Sequence, residues 1–110
     1  MKLCLDGIRD AESRRQWQNA GYTLPAFDIE KMRENTLKGC RWVHFGSGNI
    51  FRAFLAARMQ DLLDKGLEDT GILVGEAFDW EMLDDAYDKF DNLSIDVTLK
   101  SDGTVGKAVV

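Results

Sequence analysis

The chain has 110 residues, 45% of them hydrophobic and 30% charged, which is the composition of one small folded unit with a thin core rather than of a disordered segment. Its formal net charge of −5 and the lack of any basic stripe argue against a nucleic-acid partner, whose phosphates must be neutralised by clustered Lys and Arg. No apolar run approaches the length of a membrane span and Met1 to Leu5 lacks the pattern of a signal peptide, so the expected setting is the cytoplasm, with no membrane partner.

Lys2 to Ile8 alternates weakly through Leu3, Leu5 and Ile8, which predicts a short extended piece. Asp10 to Ala20 has helical composition, and Gly21 stands where a left-handed C-cap would stop it. Pro25 marks an extended linker, and Asp28 is a good N-cap for a second helix running to about Lys38, closed by Gly39. Residues 1–40 are therefore expected as a helical leader to a second region, 41–110. Cys4 and Cys40 lie far apart without metal-type spacing and are expected as thiols rather than a disulfide.

Trp42 to Phe45 is apolar except for His44, as suits a strand buried on both faces of a parallel sheet. His44, the only histidine, is expected to pack inside that sheet, with no catalytic role assigned to it. The strand runs straight into Gly46-Ser47-Gly48, and a helical pattern opens at Asn49, with Ile50, Phe51, Phe54, Leu55, Met59, Leu62, Leu63 and Leu67 as its apolar stripe and Gly66 near its end. Strand, glycine turn and helix start in succession make a place for a diphosphate: one glycine allows the tight turn, the next lets backbone approach the ligand, and the helix start presents N–H groups. The third glycine of the usual fingerprint falls at Phe51, which predicts a helix that stands off from the strand or crosses it at a different angle. Arg52, in the first turn, opposes the helix dipole; it either faces an anion or is a solvated surface arginine.

Gly71 leads into a second buried strand, Ile72 to Gly75, and Glu76 and Asp79 follow its carboxyl end. Dinucleotide folds place an acid here to accept hydrogen bonds from the adenosine ribose, and its charge disfavours the extra phosphate of NADP, so the cofactor expected is NAD. Glu76 fits the strand end better, whereas Asp79 has an alternative use as N-cap of a helix over Trp80 to Phe90. Asp84, Asp85 and Asp88 read as the solvated face of that helix rather than a metal site. Leu93 to Leu99 alternates as a half-buried strand, Ser101-Asp102-Gly103 supplies a turn, and Thr104 to Val110 returns as the second arm of a hairpin. The fold class expected is α/β: a partial Rossmann-like dinucleotide-binding fold with an N-terminal helical leader and a C-terminal β-hairpin.

The runs VHFGSGNIFRAF, GILVGEAFD and DNLSIDVTLKSDG, with Trp17, Ala20-Gly21 and Leu24 to Asp28 in the leader, resemble the amino-terminal part of the long-chain mannitol dehydrogenase family, and within it the mannonate and altronate oxidoreductases (fructuronate and tagaturonate reductases). The resemblance implies an NAD-dependent oxidoreductase of polyols or hexuronates. Its carry-over is limited to the cofactor end: Gly46, Ser47, Gly48, Asn49, Ile50 and Arg52 at the turn, and Glu76 or Asp79 at the ribose. The family's lysine, asparagine and histidine for proton transfer lie in a later, helical domain, so neither a catalytic nor a metal set is assigned in these residues. A substrate partner is expected in the full-length enzyme alone, no turnover in the isolated chain, and self-association through open sheet edges is a hazard. A second reading is a non-catalytic nucleotide-binding or assembly module; a third, a methyltransferase-like domain, is opposed by Asn49-Ile50-Phe51-Arg52.

Overall fold

The hydrogen-bond ladders of the computed structural model, which describes all of Met1–Val110, sort the chain into two compact units that do not follow its order. One unit comprises Met1–Leu24 together with Asp79–Val110, the other Pro25–Phe78. The units part after Leu24 and after Phe78. Tyr22 and Thr23 pair with the last strand, which ties the first two dozen residues to the carboxyl end, while the helix ending at Gly39 is bonded to the segment before the second strand of the glycine-turn region.

In the first unit, β4 (Ile95–Leu99) and β5 (Val105–Val109) form an antiparallel hairpin, in register from Ile95↔Val109 to Leu99↔Val105. The turn closes through a bond from the Gly103 N–H to the Lys100 carbonyl, with Gly103 at φ +85, so the Asp-Gly tip read from the sequence is present. β1 (Tyr22–Thr23) adds parallel to β5, giving the order β1-β5-β4. The core holds Ile8, Trp17, Leu93 and Val109. Trp17 meets the Tyr22 ring edge-on at 4.9 Å and donates its indole N–H to the Gly7 carbonyl at 3.2 Å. Lys107 Nζ lies 4.7 Å from the centre of the Tyr22 ring and donates to the Ala20 carbonyl.

Three expectations change here. Lys2 to Ile8 is not extended: α1 (Leu5–Arg9) forms because Cys4 Sγ accepts from the Gly7 N–H at 3.3 Å and Asp91 takes the Leu5 N–H at 2.8 Å, satisfying two of the free donors of a helix start. α2 (Ala11–Asn19) then follows, capped by Asp10 and ended at Gly21, φ +87, as expected. The helix expected over Trp80 to Phe90 is shorter: α5 (Trp80–Ala86) passes into a 3-10 turn, Asp88–Phe90, and ends where Asp91 and Asn92 adopt positive φ. The apolar face of β4 is turned to solvent, with Ile95, Val97 and Leu99 exposed, so the strand alternates as read but without the burial expected of it.

In the second unit, β2 (Trp42–Phe45) and β3 (Ile72–Gly75) pair in parallel from Trp42↔Ile72 to Phe45↔Gly75. Between them runs a helix whose first part, Phe51–Ala56, is π-helical and whose second part is α4 (Ala57–Asp64). α3 (Ile29–Gly39) starts at its Asp28 cap, whose carboxylate accepts from the Lys31 N–H at 3.0 Å. Thr36 Oγ1 accepts from the Gly71 N–H at 2.8 Å and donates to the Met32 carbonyl at 2.7 Å. A Cβ at Gly71 would lie 2.6 Å from Met32 Sδ, so a side chain there would require the end of Met32 to move. Burial on both faces of β2 is not what forms: Trp42 and His44 are half-buried, but Val43 and Phe45 are exposed, as is Leu73 on β3. Successive side chains of a strand point to opposite faces, and only one face of this pair is covered.

No helix is long and apolar enough to cross a membrane. Both cysteines are free thiols. Thr36→Val is expected to lower stability by about 1–3 kcal/mol, the cost of leaving the Gly71 N–H without its acceptor, measured by urea denaturation. At the hairpin tip, the Thr104 hydroxyl and then its N–H hold the Asp102 carboxyl below the usual carboxylate range. A depressed carboxyl adds stability above its unfolded pKa, ~3.9, and loses it as pH falls through the lower folded value. Asp102→Ala should therefore lower the denaturation midpoint near neutral pH, with a difference from the native chain that shrinks as pH falls through the lowered folded value.

Candidate functional site

Parallel pairing fixes the site before any side chain is considered. Because Phe45 is opposite Gly75, the residues that follow the two strands leave side by side at the same edge of the sheet. The Gly46 N–H continues the ladder to the Gly75 carbonyl at 2.8 Å, and the chain then turns at Gly46 with φ +107. Side chains rarely tolerate that conformation, so glycine here is a backbone requirement. Gly48 differs: its φ is not positive, and a Cβ built on it would meet nothing within 4 Å. Neither its conformation nor any packed neighbour demands glycine, and the space in front of its backbone is open.

Ser47, between the two, is 1% exposed and turned onto the neighbouring strand end. Its N–H and its hydroxyl both donate to Glu76 Oε2, at 3.1 and 2.5 Å. The other carboxylate oxygen of Glu76 accepts from the Phe78 N–H at 3.1 Å. One acid thereby joins the glycine turn to the loop after β3. Asp79 belongs to the other compact unit and caps α5, accepting from the Met82 N–H at 3.1 Å. Glu76, by contrast, is bonded to the turn itself.

The bulky residue at the third-glycine position is accommodated by an aromatic stack. Phe51 is buried, its ring 4.9 Å from that of His44 and inclined by 22°, while Trp42 meets His44 edge-on at 6.4 Å. His44 is thus a packing residue under the helix start. From Phe51 to Ala56 the helix is wound as a π-helix, whose wider i→i+5 turn shifts which side chains face inward. Ala57, Met59 and Leu63 are buried, but Ile50, Phe54, Leu62 and Leu67, all on the expected apolar stripe, are exposed. Arg52 donates from Nη2 to Asn49 Oδ1 at 2.6 Å, which holds the guanidinium beside the first turn.

The turn therefore gathers Gly46, Ser47, Gly48, Asn49, Ile50, Arg52 and Glu76 in one compact unit. Sequence reasoning missed the Ser47–Glu76 bond and the His44–Phe51 stack. The parallel register was the available signal for the first, since it aligns the residues after Phe45 with those after Gly75. No group of three or more His, Cys, Asp or Glu side chains is placed to hold a metal ion.

Among proteins of known description, the chain is similar to the D-mannonate oxidoreductase of Thermotoga maritima, 47% identical over 110 residues. That match takes in all of this chain but 20% of the relative, so the chain spans about one fifth of the length of the protein it resembles. The similarity agrees with the resemblance read from the glycine turn and its flanks. No family model matches the chain, and no solved structure matches it.

The two glycines should separate on substitution. Gly46→Ala is expected to cost about 1–3 kcal/mol of stability for forcing a side chain into a positive-φ conformation. Gly48→Ala should leave the thermal midpoint close to that of the native chain, within the roughly 0.5 kcal/mol of an ordinary surface change. Equal losses in the two variants would mean that Gly48 also serves the fold.

Proposed function

We propose that this chain is the NAD-binding, amino-terminal portion of an oxidoreductase that interconverts a hexonate or polyol and its keto form, and that its β2-turn-helix-β3 segment is part of a Rossmann-like fold. The observation that carries the reading is the open backbone at Gly48 beside an acid at the adjoining strand end. A glycine that its own fold does not require, with unfilled space before it, suits the close approach of a diphosphate. The similarity to a D-mannonate oxidoreductase supports the reaction class.

In this reading the backbone of Gly48, Asn49 and Ile50 receives the diphosphate at the helix start, where N–H groups lack partners within the helix. Arg52, held by Asn49, adds a positive charge on that side. Glu76 accepts from the adenosine ribose hydroxyls, and its negative charge opposes the 2′-phosphate of NADP. The bound cofactor would supply the hydride acceptor or donor. The residues that hold the sugar acid and take up its proton are assigned to the four-fifths of the relative that this chain does not span, and the lone chain is not expected to turn over. A cytoplasmic setting is part of the same proposal.

Calorimetric titration with NAD tests the reading. The 110-residue chain should bind NAD saturably and more tightly than NADP, and Gly48→Val, whose side chain would fill the open space, should lose binding while keeping its thermal midpoint. A folded chain that binds neither nucleotide, or a Gly48→Val variant that binds as well as the native chain, would remove the assignment.

A further inference from the structure

We infer that Ser47 is a positioning residue that sets the preference for NAD over NADP by orienting the Glu76 carboxylate; the inference rests on the cofactor reading given above. The sequence groups Ser47 with the turn residues at the cofactor end and gives it no role of its own; the structure turns both of its donors to Glu76. Ser47 is 1% exposed, and both of its donors, N–H and hydroxyl, go to the same oxygen of Glu76.

Two donors from one residue on one oxygen fix the position of that oxygen and the plane of the carboxylate. The Phe78 N–H on the other oxygen prevents rotation about the side chain's last bond. A glutamate without such bonds has three side-chain torsions to fix, and ordering it on ligand binding would cost conformational entropy. Ser47 meets that cost in the folded chain, so that the acid is in place before a nucleotide arrives. Carboxylate oxygens accept from more than one donor at once, so a bond from Ser47 is compatible with one from a ribose hydroxyl.

The arrangement also concerns what is refused. A fixed carboxylate cannot swing aside to admit a 2′-phosphate, whereas a mobile one can. Charge alone would disfavour NADP modestly at a solvent-exposed edge; charge held in place disfavours it more. Ser47 lies in the glycine turn and Glu76 after the neighbouring strand, so the bond between them links the part of the site proposed for diphosphate to the part proposed for ribose.

The test is a double-mutant cycle read by calorimetric binding of NAD and of NADP to the 110-residue chain, with native, Ser47→Ala, Glu76→Ala and doubly substituted chains. Ser47→Ala is expected to weaken NAD by about tenfold, the scale of one hydrogen bond to a charged group, and to weaken NADP much less, so that the preference falls by a similar factor. In the Glu76→Ala background the same change should alter NAD binding by less than about twofold, because a residue that acts through Glu76 has nothing left to act on. Glu76→Asp, which keeps the charge but draws it back by one methylene, provides an independent arm and should also lose preference. Equal weakening of NAD and NADP by Ser47→Ala, or an undiminished effect without Glu76, would overturn the inference and assign Ser47 to the phosphates or to folding alone. In that event the native chain's preference for NAD would leave the cofactor reading standing; a native chain that binds neither nucleotide would remove both.

Discussion

The parallel register of β2 and β3 is the constraint on which the glycine-turn unit depends. It places the residue after Phe45 beside the residue after Gly75, and the arrangement of the glycine turn follows from that adjacency. The Gly46 N–H extends the ladder by one bond, the chain then turns through a positive φ at Gly46, and Ser47 arrives within reach of Glu76. A shift of one residue in the pairing would send Ser47 and the acid to opposite faces, since side chains alternate along a strand. The register is held from outside the pair as well. Thr36 of α3 bonds the residue that precedes β3, and Gly71 lets α3 approach so closely that a Cβ would collide with Met32.

What was legible in the sequence was local. The β2 strand, the tight turn at Gly46, the Asp28 and Asp79 caps, the Gly21 stop and the Asp-Gly hairpin tip each depend on a few consecutive residues, and each forms where the pattern put it. What was not legible depends on contacts between distant residues. α1 forms because Asp91, 86 positions away from Leu5, satisfies its first donor. β1 exists only because β5 is there to pair with it. The π turn has no signature in the apolar stripe; it accompanies Phe51 as that side chain stacks on His44, and the expected stripe then changes phase. At the site, residue types and order gave the turn and two candidate acids with Glu76 ahead, while the bond that ties Ser47 to Glu76 required the fold.

The uncovered apolar surfaces have a common physical meaning. Parallel pairs are found almost always with both faces covered, yet Val43, Phe45 and Leu73 face solvent here, and Ile95, Val97 and Leu99 do so on the hairpin. At roughly 25 cal/mol per Å² of apolar surface left in water, such faces forgo stabilisation that a small unit can ill spare. Single exposed apolar residues need no explanation, but runs of them along one face of a strand are a liability for association. The sequence pattern that predicted burial on both faces of β2 was sound as a statement about residue preference. It could not say what covers the second face.

Recognition at this site, as proposed, divides between backbone and side chain in a way that suits each part of a dinucleotide. Phosphate is met by main chain, because only a residue without Cβ leaves room at Gly48, and because backbone donors are fixed by the helix start and cost little ordering. Ribose is met by a carboxylate, because discrimination between a hydroxyl and a phosphate at the same carbon is best made by charge. Backbone is positioned by the fold, whereas a glutamate side chain must be positioned by something else. Ser47 is bonded to Glu76 from within the turn itself, so a distortion of the backbone proposed for the phosphates would also displace the acid proposed for the ribose.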